Sequence, residues 1–99
     1  MQSIPDRIKE IQREAAKYHG HTRSQLLGEQ RGKSLQLARE AAMLAARRLP
    51  GTPSYPRLGD LFLRDHSCVL RSVRVAERLE AAEPWFGLLV ARLELLGAE

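Results

Sequence analysis

Ninety-nine residues, 43% hydrophobic and 28% charged, suit one folded unit with a modest core and exclude an intrinsically disordered chain. A net charge of +4 and a pI near 9.8 favour an anionic partner. The single Cys68 excludes an internal disulfide and fits a reducing cytoplasm. The longest apolar run, Trp85–Ala91, falls far short of the ~18 residues of a membrane span, and Met1–Asp6 has no signal-peptide core, so a soluble chain without a membrane partner is expected.

In chain order, Ser3 ahead of Pro5 and Asp6 marks a helix start, and Ile4, Ile8, Ile11, Ala15 and Tyr18 recur at helical spacing until Gly20. Thr22 with Gln25 repeats a capping-box pattern before Leu26-Leu27, and Gly28 stops this short second helix. Gly28–Gly32 carries no large apolar residue and reads as a loop. Ser34 is placed to cap a third helix, alanine-rich from Ala38 to Ala46, with Leu35, Leu37, Leu44 and Leu49, and Pro50 ends it. Pro50–Pro56 reads as a stiff connector outside any helix or strand.

Leu58, Leu61 and Phe62 mark a short fourth helix over about 57–62. Asp65 is expected to cap a fifth, with Val69, Leu70, Val73, Ala76 and Leu79 inward. Glu83-Pro84 opens a sixth, with Trp85, Leu88, Leu89, Leu93 and Leu96 before Gly97. No stretch alternates with period two. The fold class is therefore all-α with about six helices, one domain over 1–99 in which 83–97 is an additional C-terminal helix.

Charge is unevenly spread along this frame. Residues 1–22 carry +1, residues 23–74 carry +6 and residues 75–99 carry −3, so the middle of the chain is the phosphate-facing candidate. The short fourth helix, a tight turn at Leu63-Arg64 and the longer fifth helix are expected to form a helix-turn-helix. Ser67, Arg71, Arg74 and Arg78 share one face of the fifth helix, opposite Val69, Val73, Ala76 and Leu79. Such a helix suits the major groove, where side chains near its N-terminus reach base edges; the competing reading is an ordinary solvated face.

Arg64-Asp65-His66-Ser67-Cys68-Val69-Leu70, preceded by Gly59-Asp-Leu-Phe62, resembles the signature of the C-terminal DNA-binding domain of the DnaA family of bacterial replication initiators. That signature runs Gly-x-x-Phe-Gly-Gly-Arg-Asp-His-Thr-Thr-Val-Leu. Leu26-Leu27, Arg31, Arg39, Ala42-Met43, Ala46 and Leu49 match the same family without a gap, and the likeness covers roughly residues 4–80. It implies a DnaA C-terminal, Trp-repressor-like arrangement that binds double-stranded DNA. It also implies that Arg31 enters the minor groove from the loop, that Arg39 contacts DNA from the long helix and that Arg47 touches phosphate. Asp65, His66, Ser67 and Cys68 would read the major groove, with Arg64 counted among the DNA-binding residues, and Lys33, Arg48, Arg71 and Arg74 would add phosphate attraction. No cofactor or metal is implied, and a bacterial, cytoplasmic, nucleoid-associated role in regulating replication initiation or transcription is expected.

Three departures stand out. Glu40 replaces the family's usual Gln and would repel phosphate unless neutralised. Ser67 and Cys68 replace two threonines. The lone Leu63 replaces Gly-Gly, which points to a changed docking angle for the recognition helix.

Catalysis is not expected. No Gly-x-x-x-x-Gly-Lys-Ser/Thr loop is present, which reads as the DNA-reading module without an ATPase, and His66 and Cys68 sit about 200° apart on a helix. His19-Gly20-His21 has no Cys or carboxylate at ligand spacing, and an imidazolium at a helix C-terminus explains His19. The sixth helix is expected to pack on the domain, with a homodimer seam as the alternative. Two other functions stay open: a transcriptional regulator binding an unrelated operator, and a protein-interaction module that has lost DNA binding.

Overall fold

The computed structural model describes residues 2–98, so the two end residues of the expected 1–99 domain lie outside it. All regular structure among the described residues is helical: α1 (Ile4–Tyr18), α2 (Arg23–Leu27), α3 (Lys33–Arg47), α4 (Tyr55–Phe62), α5 (His66–Ala82) and α6 (Pro84–Ala98). No helix among them is long and apolar enough to cross a membrane.

The core follows from α3. Ala38, Ala41, Ala42, Ala45 and Ala46 are all fully buried, and side chains this small let neighbouring helices approach closely. As a result α3 packs against each of the other five helices. Phe62 from α4, Val69, Val73 and Ala76 from α5, and Phe86, Leu89, Val90 and Leu93 from α6 complete one hydrophobic cluster with Ile8 and Ile11 of α1.

Several starts form as the sequence predicts. The Ser3 hydroxyl accepts the Asp6 amide at 3.2 Å. Thr22 and Gln25 exchange both bonds of a capping box.

Other expectations are corrected. α3 begins at Lys33, with Gly32 as an N-cap at φ 145° and no side-chain cap. Ser34 instead bonds His21, Oγ to Nε2, at 2.7 Å. The proline-rich stretch is not wholly a connector. Ser54 caps α4 by accepting the Arg57 amide, and Pro56 sits in the first turn, where the missing N–H costs no helical bond. Tyr18, the last of the apolar residues recurring along α1, is 53% exposed, and Leu70, expected inward, is only half-buried. Gln12 occupies the apolar face of α1 at 1% exposure. Its amide is satisfied at both ends, donating to the Leu61 carbonyl at 3.0 Å and accepting from Arg23 Nε at 2.8 Å.

Candidate nucleic-acid interface

α4 and α5 pack as a helix-turn-helix, and the turn depends on one left-handed residue and one close backbone approach. Leu63 closes α4 in the left-handed region, φ 55° and ψ 44°, with its side chain 66% exposed. A non-glycine residue there stores strain on the order of 1 kcal/mol. The lone leucine thus takes the conformation that glycine adopts most easily. Four residues earlier Gly59 is buried, and a Cβ on it would lie 2.6 Å from the Arg64 carbonyl oxygen. α5 leaves this turn at Asp65.

α5 is divided as its sequence predicts: Val69, Val73 and Ala76 face inward, and Ser67, Arg71, Arg74 and Arg78 are exposed. Asp65 holds the N-cap position but makes no side-chain cap bond. Its carboxylate accepts from the Ser67 hydroxyl, which is the main influence keeping its pKa below the ordinary value. His66 is exposed, its Nδ1 3.7 Å from the Asp65 carboxylate. Cys68 is half-buried and free.

Beside this helix start lies an open cleft of about 910 Å³, lined by Leu27, Glu29, Arg31, Gly32, Gln36, Arg39, Leu63 and Arg64. The fold therefore gathers Arg31, Arg39 and Arg64 from the α2–α3 loop, the long helix and the helix-turn-helix turn. Lys33, Arg47, Arg71 and Arg74 lie outside the lining. Arg31 and Lys33 are exposed. Arg47 donates to the Pro53 carbonyl at 2.8 Å, and its guanidinium lies 4.1 Å from the centre of the Tyr55 ring.

Arg39 and Arg64 are occupied by the chain itself. Arg39 is only 6% exposed. Its Nε donates to Leu26 O at 2.8 Å, and its Nη2 faces Gln25 O at 3.1 Å, Gly28 O at 3.1 Å and Gln30 O at 2.7 Å. Arg64 donates to Leu27 O at 3.1 Å and to Gly28 O at 2.6 Å. Burial, then the nearby Arg64 cation, lowers the Arg39 pKa. The sequence gives no sign of this, because the acceptors are main-chain carbonyls. Gln36 was likewise missed; it lines the cleft and donates to Glu40 at 3.0 Å.

Glu40 is not set against phosphate. It is 6% exposed, and burial raises its pKa against the smaller opposing effect of the Gln36 bond. The expectation for Arg48 is corrected by its partners. It grips Glu80 at 2.6 and 2.8 Å and reaches Glu94 at 3.0 Å, so carboxylates from α5 and α6 neutralise it. No carboxylate partners Arg31, Lys33, Arg39, Arg64, Arg71 or Arg74 among the described residues.

His19 and His21 have separate tasks. His19 packs edge-on against Trp85 with ring centres 6.2 Å apart, and burial, then His21, lowers its pKa. Burial therefore disfavours the imidazolium expected at the end of α1.

Comparison with known proteins concerns the chain as a whole. The helix-turn-helix of bacterial dnaA protein matches residues 8–75. The chain is 38% identical over 68 residues to the chromosomal replication initiator protein DnaA 1 of Chlamydia pneumoniae, covering 69% of this chain and 15% of that one. It is 39% identical over 77 residues to the chromosomal replication initiator protein DnaA of Caulobacter vibrioides, covering 77% of this chain and 16% of that one. It is also 38% identical over 79 residues to its namesake from Rhizobium meliloti, covering 78% and 16%. The chain thus spans about a sixth of the length of these relatives. No solved structure matches it significantly.

Proposed function

The chain belongs to the bacterial DnaA helix-turn-helix family, and on that premise we propose that it binds duplex DNA selectively, in the manner of DnaA-box recognition. The observation that carries this reading is the cleft, which sets Arg31, unpaired with any carboxylate among the described residues, beside the exposed start of α5.

In this reading Arg31 enters the minor groove while Asp65, His66, Ser67 and Cys68 face base edges in the major groove. Asp65 accepts from a cytosine amino group, and the short side chains meet thymine methyls. Lys33, Arg71, Arg74 and the free donors of Arg47 hold phosphates and set orientation. The protein acts by binding rather than by chemistry, and it marks or competes for sites on bacterial DNA. The relatives are named as chromosomal replication initiators, which favours control of replication. A transcriptional operator of different sequence is the second reading, favoured by Ser67 and Cys68 in place of two threonines and by Leu63 in place of Gly-Gly.

Fluorescence anisotropy with a labelled DnaA-box duplex and a scrambled one, at two salt concentrations, separates these readings. Tighter binding to the box is expected, with affinity falling steeply as salt rises, because each phosphate neutralised releases counterions. Equal affinity for both duplexes would favour the operator, to be found by selection from random sequence. Absence of binding to either would leave a protein-interaction module.

A homodimer through α6 is the remaining partner proposal. Leu88 and Leu95, one heptad apart, are 74% and 69% exposed on that helix, which supports a second copy meeting it there. Sedimentation over a range of concentrations is expected to show the mass rising toward twice 11.2 kDa. A constant monomer mass would remove the seam.

A further inference from the structure

The loop that carries Arg31 has little to hold it. Gly28–Gly32 contains no apolar residue larger than glycine, forms no helix, and ends at Gly32 with a φ that L side chains rarely adopt. Such a segment, fixed only at its ends, would sample many conformations, and a side chain on it would reach a narrow groove only part of the time. Yet two of its carbonyls are held. Gln30 O accepts from Arg39, and Gly28 O accepts from both Arg39 and Arg64. Among the described residues these two oxygens have no other hydrogen-bond partner. The adjoining carbonyls of Gln25, Leu26 and Leu27 at the end of α2 are taken by the same two guanidiniums.

We infer that Arg39 and Arg64 are positioning residues, a pair of guanidiniums that clamps the α2–α3 loop and fixes where Arg31 leaves it relative to the start of α5. This rests on the DNA-binding reading above. The clamp has a root in each partner element: Arg39 rises from the buried face of α3, and Arg64 from the turn immediately before the recognition helix. One oxygen, Gly28 O, lies 3.1 Å from the Arg39 Nη2 and 2.6 Å from the Arg64 Nη2, so loop and turn are tied at a single point. A displacement of the turn is therefore passed to the loop.

The chemistry requires arginine. A planar guanidinium offers five donors in fixed directions and so holds several carbonyls that point different ways. A lysine ammonium keeps the charge but gathers its donors at one point. Charge and fork geometry are thus separable by one conservative substitution, which is what distinguishes a clamp from a phosphate contact.

The test uses the full chain with Arg39→Lys, and with Arg64→Lys in parallel because Arg39 is the more deeply buried and its variant is the one at risk of not folding. In the free protein, amide hydrogen exchange across 28–32 is expected to quicken by about tenfold or more, while the amides of α1 and α6 keep their protection. In the complex, Arg31→Ala is expected to weaken binding to the preferred duplex by roughly tenfold in the parent, but by less than about twofold once the clamp is broken. The salt dependence should stay near that of the parent, since the charge is kept.

Loop exchange at the parent rate in both lysine variants would overturn the clamp. So would an Arg31→Ala effect of equal size in both backgrounds. If the parent binds no duplex, the functional reading fails on its own, and the exchange measurement in the free protein still decides whether these arginines hold the loop.

Discussion

Gly59→Ala is expected to destabilise the chain by about 2 kcal/mol and to loosen the helix-turn-helix before any other part of the fold. The added methyl would sit 2.6 Å from the Arg64 carbonyl oxygen, 3.3 Å from the His66 nitrogen and 3.4 Å from the His66 Cα. All three are backbone atoms, so no side-chain rotation relieves the contact and the turn itself must move. Alanine's better helix propensity returns at most about 1 kcal/mol at this position in α4. In a domain of this size a net loss of about 2 kcal/mol lowers the melting midpoint by roughly 8–16 °C.

The displaced atoms belong to the residue that clamps the loop and to the first residue of α5. Selectivity between duplexes should therefore fall further than the stability loss accounts for. Thermal denaturation followed by circular dichroism, with anisotropy measured well below the midpoint, separates the two effects. A midpoint equal to the parent's would mean that the turn has slack and that the close approach does not require glycine.

This tight turn also shows where sequence pattern is informative and where it is silent. The amphipathic split of α5 could be read directly, because Val69, Val73 and Ala76 recur on one side of a regular helix and the arginines on the other. The capping box at Thr22 was legible for the same reason: local chemistry at fixed spacing decides it. The start of α4 was not, because Pro56 breaks a helix interior but is tolerated in a first turn, and only the cap at Ser54 tells which applies.

Charged side chains mislead most. Arg39 and Glu40 are adjacent in sequence, and each reads as part of a DNA-facing surface, yet both are 6% exposed. The partners that make burial tolerable are a set of carbonyls 9–14 residues away and the amide of Gln36. Main-chain acceptors carry no residue-type signal, so no motif announces them. The cleft was legible only in outline for this reason: resemblance brought Arg31, Arg39 and Arg64 into one list, while the division between a free arginine and two occupied ones came from the folded geometry.

The same separation of roles governs the other end of the molecule. The match to the family model ends at residue 75, within α5, and α6 lies wholly beyond that match. Nevertheless Phe86, Val90 and Leu93 are fully buried, and α6 packs against α1, α3 and α5. Its acidic residue Glu94 joins Glu80 in neutralising Arg48, and its Arg92 reaches Glu14 at 3.1 Å. These exposed ion pairs add little stability individually, so the burial of Phe86 dominates. Phe86→Ala is therefore expected to cost about 3–5 kcal/mol, a large part of the roughly 5–15 kcal/mol that holds a domain together. None of the residues lining the cleft comes from α6, so variant molecules that remain folded should bind duplex DNA within about twofold of the parent. Urea denaturation gives the stability loss, and anisotropy at low temperature gives the affinity. A cost below about 1 kcal/mol would show that the rest of the core closes without this helix. A loss of affinity in fully folded protein would instead mean that α6 transmits its packing through α3 to the arginine that holds the loop.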